Sequence, residues 1–281
     1  MATPIPSRTP NQGTRTSFGD MLRSWRRIRR SSQLDLALAC GVSQRHLSFL
    51  ESGRARPSRG MVLNLASALD MPLRQQNALL LAAGYAPAFG QRPLDTADMR
   101  PVTAAVERMM AQQAPYPALL VDAAYNLLRA NAPAVDLLAF LLGRAPAPDG
   151  PAPNLVRLLF DPDGLRPHVE DWPVTAAWMV RRLRAELAGG HGAGAGGDLA
   201  ALLSDPDIVS GFADTGDGAA DLPPALVLKL RQGEVRLALL SMIATVGTPL
   251  DAVAQDLRLE FFFPADAATD RWFRDRAAAS G

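Results

Sequence analysis

The chain has 281 residues, 48% of them apolar, with a formal net charge of +1 and a single cysteine, Cys40. That length fits one large domain or two ordinary ones, the lone cysteine excludes an internal disulfide and suits a reducing cytoplasm, and no apolar run reaches the roughly 18 residues of a membrane helix. The small net charge hides an asymmetry, because residues 1–92 carry 13 Arg against 4 Asp or Glu, a net +9, whereas residues 93–281 carry 16 Lys or Arg against 24 Asp or Glu, a net −8.

Taken in chain order, residues 1–16 have no apolar stretch after their basic residues, so the expectation is a disordered leader rather than a secretory signal. Residues 17–86 predict an all-α unit of five short helices. Ser17 with Asp20, and Ser32 with Asp35, read as caps followed three residues later by an acid. Ser58 caps a helix over 59–70 that stops at Asp70-Met71-Pro72, and a fifth helix over about 73–83 ends at Gly84. Residues 87–114 read as a linker with one short helix near 102–113, punctuated by Pro87, Gly90, Pro93 and Pro101. From 115 to 281 the character changes. PALLVDAAYNLLRAN predicts strand, tight turn, strand and entry into a helix over 131–142. A Pro/Ala loop, RAPAPDGPAPN, precedes helices at 154–160 and 173–188. AGGHGAGAGGD reads as a low-complexity insertion, with short helices near 198–210. ALVLKLRQ, EVRLALLSMIATV and DLRLEFFFP predict three more strands, and a helix over 266–278 closes the chain. Strands at both ends with helices between them describe an α+β domain with an antiparallel sheet.

The stretch QLDLALACGVSQRHLSFLES, residues 33–52, carries the most specific chemistry. Two helices meeting at an angle need a small residue where they touch, and Ala37 supplies it. The sharp turn between them needs a positive φ, cheapest as glycine, and Gly41 stands there. Val42 plugs the corner, Ser43 caps the second helix, and Leu36, Cys40, Leu47 and Leu50 turn inward at helical spacing. Gln33, Gln44, Arg45, His46, Ser48 and Phe49 remain outside. This is the geometry of a helix-turn-helix, whose second helix enters the DNA major groove. An ordinary helical hairpin with a polar face is the alternative. The surrounding +9 charge favours a polyanion as partner, and arginine in particular suits phosphate and guanine.

Residues 18–72 resemble, end to end, the Cro/C1-type helix-turn-helix domain of the XRE family. Gln33, the G-V-S turn, the L-x-x-L-E-x-G ending, a basic loop with Pro57 and the LNLASAL helix occur in that family's order. The resemblance implies that Gln33 and Gln44 touch phosphate or bases, and that Arg45 reads a base, since a guanidinium bonds guanine O6 and N7 together. It places Ser43, His46 and Ser48 on the same face and gives Arg54, Arg56 and Arg59 phosphates to bind. Phe49 either meets a thymine methyl or packs on the following helix. Arg26 and Glu51 match a family pair that ties the first helix to the end of the reading helix; two exposed charges are the other reading, worth at most about 1 kcal/mol. His46 and Phe49 stand where the family has polar readers, so the operator sequence is not predictable.

The likeness continues past the first unit. LRQQNALLLAAGYAP and YPALLVDAAYNLLRAN are similar to the MmyB-like group of these regulators, most closely over 18–142. That resemblance implies a C-terminal PAS-like ligand-binding domain, a homodimer, and an apolar pocket for which a fatty acyl chain, such as a fatty acid, is an occupant. Trp178, Met179, Leu183, Met242, Ile243 and Phe262 are candidates to line it, or they are plain core. No charged anchor can be chosen from the sequence.

Enzyme readings fare poorly. Gly192, Gly194 and Gly197 match G-x-G-x-x-G but follow a helix in an Ala/Gly tract, so the dinucleotide reading fails its context. His46, His168 and His191 lie far apart, and no metal site or nucleophilic triad is indicated. The expectation is a cytoplasmic, non-enzymatic regulator that binds double-stranded DNA and no membrane. A helical protein-interaction adaptor, or a DNA-binding regulator whose C-terminal half is purely structural, are the alternatives.

Overall fold

Ser17, Ser32, Ser43 and Ser58 each accept a hydrogen bond from the backbone N–H three residues on, and each opens a helix. These helices belong to a computed structural model that describes residues 16–144, 153–189, 198–206, 208 and 225–280. The chain divides into two compact units, residues 1–88 and 89–281. The expected leader up to residue 15, most of the Pro/Ala loop and the glycine-rich insertion from 190 lie outside the described residues.

The first unit holds α1 (Phe18–Ile28), α2 (Gln33–Ala39), α3 (Gln44–Glu51), α4 (Arg59–Ala68) and α5 (Leu73–Ala82). Leu22, Leu36, Leu47, Leu50, Leu65 and Leu79 meet in one core, the five-helix arrangement the spacing predicts. Two glycines make the packing possible for different reasons. Gly41 adopts φ 66 with open space around it, so the requirement is conformational. It lets Val42 N–H reach back to the Ala37 carbonyl at 2.9 Å, closing α2. At Gly19 the requirement is room: a Cβ there would stand 2.4 Å from the Glu51 carbonyl oxygen. Helix α1 therefore crosses the end of α3 with backbone nearly against backbone. Nothing local in the sequence marks that approach.

The second unit holds α6 (Arg100–Gln112), β1 (Ala118–Val121), β2 (Leu127–Ala130), α7 (Ala132–Leu142), α8 (Leu155–Phe160), α9 (Trp172–Ala188), α10 (Asp198–Leu203), β3 (Val227–Gln232), β4 (Val235–Ala244), α11 (Ala252–Asp256), β5 (Arg258–Pro264) and α12 (Ala267–Ser280). The short α11 is not foreseen from the sequence; Asp251 caps it by accepting from Val253 and Ala254. The five strands form one antiparallel sheet in the order β2-β1-β5-β4-β3. Val106 and Met110 of α6 cover Leu120 and Leu259 on one face. Leu137, Leu159, Val180 and Leu183 pack with Leu230 and Leu239 in the larger core. Asn131 joins α6, β1 and α7: its Oδ1 accepts from Ala118 and Ala134, and its Nδ2 donates to the Met110 and Tyr116 carbonyls. All four bonding positions of one buried-side amide are used, which fixes how these three elements meet.

Candidate nucleic-acid interface and ligand pocket

Helix α3 shows its inner and outer faces cleanly. Leu47 and Leu50 are fully buried, whereas Gln44 and Arg45 are exposed at its start and Ser43 is exposed at its cap. His46, Ser48 and Phe49 are half-buried along the flank, and Arg54, Arg56 and Arg59 are exposed in the loop and helix start that follow. Ser43 Oγ already accepts from His46 N–H, so its side chain serves the helix start. The guanidiniums of Arg45 and Arg54 lie over the Phe49 ring, 5.3 and 6.0 Å from its centroid. The ring thus gives both arginines a surface to rest on.

Behind this face sits a charged anchor. The Glu51 side chain is only 2% exposed and accepts from Arg26 Nε at 2.6 Å and Nη2 at 3.1 Å. Gln33 Nε2 donates at 2.8 Å to Oε2, the oxygen that Arg26 Nη2 also reaches, and Arg23 donates to the Glu51 backbone carbonyl at 2.7 Å. Burial pushes the Glu51 carboxyl up, but the bonds from Arg26 and Gln33 and the charges of Arg26 and Arg23 outweigh it, leaving it below its ordinary value. The reading of Arg26 and Glu51 as two exposed charges is therefore overturned, since a buried carboxylate must be paired. Gln33, expected to face DNA, also gives one of its amide N–H groups to this anchor.

The second unit contains a cavity of about 130 Å³ between the sheet and helices α7, α8 and α9. Leu137, Leu138 and Leu141 form one wall; Leu228, Leu239 and Phe262 form the opposite one. Trp178 and Met179 line it, but Leu183 does not: it is fully buried on the stripe with Ala176 and Val180 that packs into the core. Met242 and Ile243, expected at the pocket, are 57% and 42% exposed. Side chains alternate along a strand, so Ser241 of β4 enters the cavity lining while Met242 points to the opposite face. Ile243 shares the Ser241 face but falls beyond the cavity.

The polar side of the cavity escaped sequence reasoning. Arg182 of α9 donates to Glu186 at 3.1 Å and to Glu260 of β5 at 2.7 Å, and Arg258 donates to Glu186 at 2.5 Å. Tyr125 is 2% exposed, and its hydroxyl donates to Glu186 at 2.8 Å. Burial first, then the Glu186 charge and hydrogen bond, push the Tyr125 hydroxyl far above its ordinary value, against the opposing charges of Arg182 and Arg258. Tyr125 also stands at φ 66, a conformation bulky residues rarely adopt. The Asp122 side chain holds that turn by accepting from the N–H groups of Ala124 and Asn126. A signal was present: Arg182 and Glu186 are one helical turn apart in α9, and Arg258 and Glu260 alternate inside an otherwise apolar strand.

Residues 102–275 match the family model of the MmyB-like transcription regulator ligand binding domain, and residues 22–76 match a helix-turn-helix family model. No curated protein matched the chain. One solved structure, titled "Structure of an RNA-binding Light-Oxygen-Voltage Receptor", is similar at 14% identity and a TM-score of 0.29, covering 95% of this chain and 65% of that one. Likeness at that level carries no functional argument. Among the described residues no helix is long and apolar enough to cross a membrane.

Proposed function

Starting from the chain's membership of the MmyB-like transcription regulator family, here with a helix-turn-helix unit ahead of the ligand-binding domain, we propose how this DNA-binding regulator works. Helix α3 enters the major groove. Arg45 reads a base edge, Gln44 and Ser48 assist, and Arg54, Arg56 and Arg59 hold phosphates. Phe49 positions Arg45 and Arg54 rather than reading a thymine methyl itself. The second unit, PAS-like in the reading of the resemblance, dimerises and holds a small alkyl-chain ligand of the fatty-acid class in its cavity. Two-fold symmetry would set two reading helices about 34 Å apart, or a multiple of that, on a roughly palindromic operator. Ligand binding would shift their relative placement, a coupling typically of about 1–3 kcal/mol.

The observation that carries this reading is the division of α3: Leu47, Leu50 and Glu51 are buried behind it, whereas Gln44 and Arg45 are exposed in front, followed by three exposed arginines. Fluorescence anisotropy of a labelled random duplex, titrated with full-length protein over a range of salt, tests it. Retention that falls steeply with salt is expected from phosphate neutralisation. Absence of salt-dependent binding would favour a protein-docking module instead. Mass spectrometry of organic extracts of the purified protein tests the ligand half.

A further inference from the structure

The chain is tied on both sides of Phe89, where the first unit gives way to the second. Within the first unit, Tyr85 donates its hydroxyl to the Pro57 carbonyl at 2.9 Å, and Ala88 N–H donates to Oδ1 of the buried Asn77 at 2.9 Å. Within the second unit, Gly90 forms a parallel β-bridge with Asp251, and its carbonyl accepts from Ala252 N–H at 2.8 Å. Arg92 N–H donates to Asp251 Oδ2 at 3.2 Å; its guanidinium lies 3.5 Å from the same oxygen and 3.0 Å from Asp98. The Asp251 side chain, 8% exposed, therefore acts in two directions. Its Oδ1 caps α11 by accepting from Val253 and Ala254, while Oδ2 holds the incoming chain. A Cβ at Gly90 would stand 2.4 Å from that Oδ2, so the close approach requires glycine. The ties at Ala88 and Gly90 are two residues apart, a span of at most about 7 Å.

We propose that the clamp of Asp251 on Gly90 and Arg92 determines the separation of the two half-sites this regulator accepts on DNA. The proposal rests on reading the chain as a DNA-binding dimer joined through its second units. Asp251 is a positioning residue: it acts on DNA binding through the chain it holds. With the clamp closed, each first unit hangs on that short span, so the half-site separation is inherited from the second units. With the clamp open, residues 89–93 become slack as far as Leu94, which packs against the cluster of Leu120, Leu257 and Leu259. Five residues reach about 17 Å, so two protomers together gain about 34 Å. Inserting about 5 bp between half-sites moves them apart by about 17 Å and half a turn, a shift the slack chains can follow and the clamped ones cannot. Asp251→Asn separates the two functions of the side chain. It keeps an oxygen for the α11 cap and turns an amide NH2 toward Arg92, setting donors against donors.

Fluorescence anisotropy of the full-length protein on three labelled duplexes tests the proposal. One carries a single half-site of the motif that the wild type selects from random DNA, one carries two half-sites at the selected separation, and one has about 5 bp inserted between them. The wild type should prefer the selected separation over the insertion by about tenfold or more. Asp251→Asn should bind the single half-site as the wild type does, with the preference reduced to about threefold or less. Gly90→Ala, which opens the clamp from its other side, should do the same, and it decides if circular dichroism shows Asp251→Asn unfolded. A wild type indifferent to the insertion, or an undiminished preference in a folded variant, would overturn the role of the clamp while leaving DNA binding intact. A wild type that selects no motif and binds none of the duplexes would overturn the DNA-binding reading and this assignment with it.

Discussion

Glu51→Gln keeps the shape of the side chain and removes the charge on which the first unit is anchored. Breaking a buried ion pair from one side costs about 3–5 kcal/mol, mostly because the remaining charge is left uncompensated. Here the partners are not fully buried: the Arg26 side chain is 14% exposed and that of Arg23 is 35% exposed, so water recovers part of the loss. The glutamine also retains one acceptor for Arg26. The expected destabilisation is therefore about 2–3 kcal/mol, enough to lower the melting temperature of a unit this size by roughly 10–20 °C. Calorimetry of the full chain, with hydrogen exchange followed on peptides from α1 and α3, measures it. The effect should also depend on pH. Because the folded-state carboxyl lies below its ordinary value, its contribution is complete above the unfolded value of about 4.3 and is lost as pH falls through the lower folded value. The wild-type and Glu51→Gln curves should therefore converge in acid. A variant within about 0.5 kcal/mol of wild type at pH 7 would refute the argument, and would mean that apolar contacts alone brace α3.

Gly19→Ala should destabilise the same unit by about 1–3 kcal/mol, because the added methyl meets the Glu51 carbonyl and the two helices must part; urea titration checks this. Phe49→Leu keeps an apolar side chain but removes the surface under Arg45 and Arg54, so DNA affinity should fall by about 0.5–1 kcal/mol at unchanged stability. Relaxed preference at a single A·T pair would instead mark Phe49 as a thymine reader. Arg56→Ala should weaken binding to every sequence alike and reduce the slope of log K against log salt by about one.

The first unit was legible because its signals are local. Serine caps, a glycine at positive φ and apolar residues at helical spacing each depend on a few neighbours, and all four helix starts between Ser17 and Ser58 could be read from them. Gly19 could not, since its role depends on where the Glu51 carbonyl passes after the chain has folded. The Glu51 anchor was visible only through the family resemblance, and the bond from Gln33 to Glu51 was not visible at all.

In the second unit the strands and helices were readable, but which face of each strand meets the cavity was not. Strand β4 shows the cost: Ser241 lines the cavity, while the more apolar Met242 beside it is exposed. Hydrophobicity selected the wrong neighbour, because alternation sets direction and only the covering helices decide which direction is inside. The Arg182 cluster draws on α9, β5 and the β1–β2 turn, elements some 60 to 130 residues apart. Sequence shows its charged pairs singly but not their meeting.

Selection of bound duplexes from a random pool, run in parallel with wild type and Arg45→Ala, tests the role of α3 most directly. The wild type should enrich one motif, and Arg45→Ala should lose its preference at one base pair while still retaining DNA at low salt. Enrichment of the same motif by both proteins, or of none by the wild type, would contradict the placement of α3 in the groove.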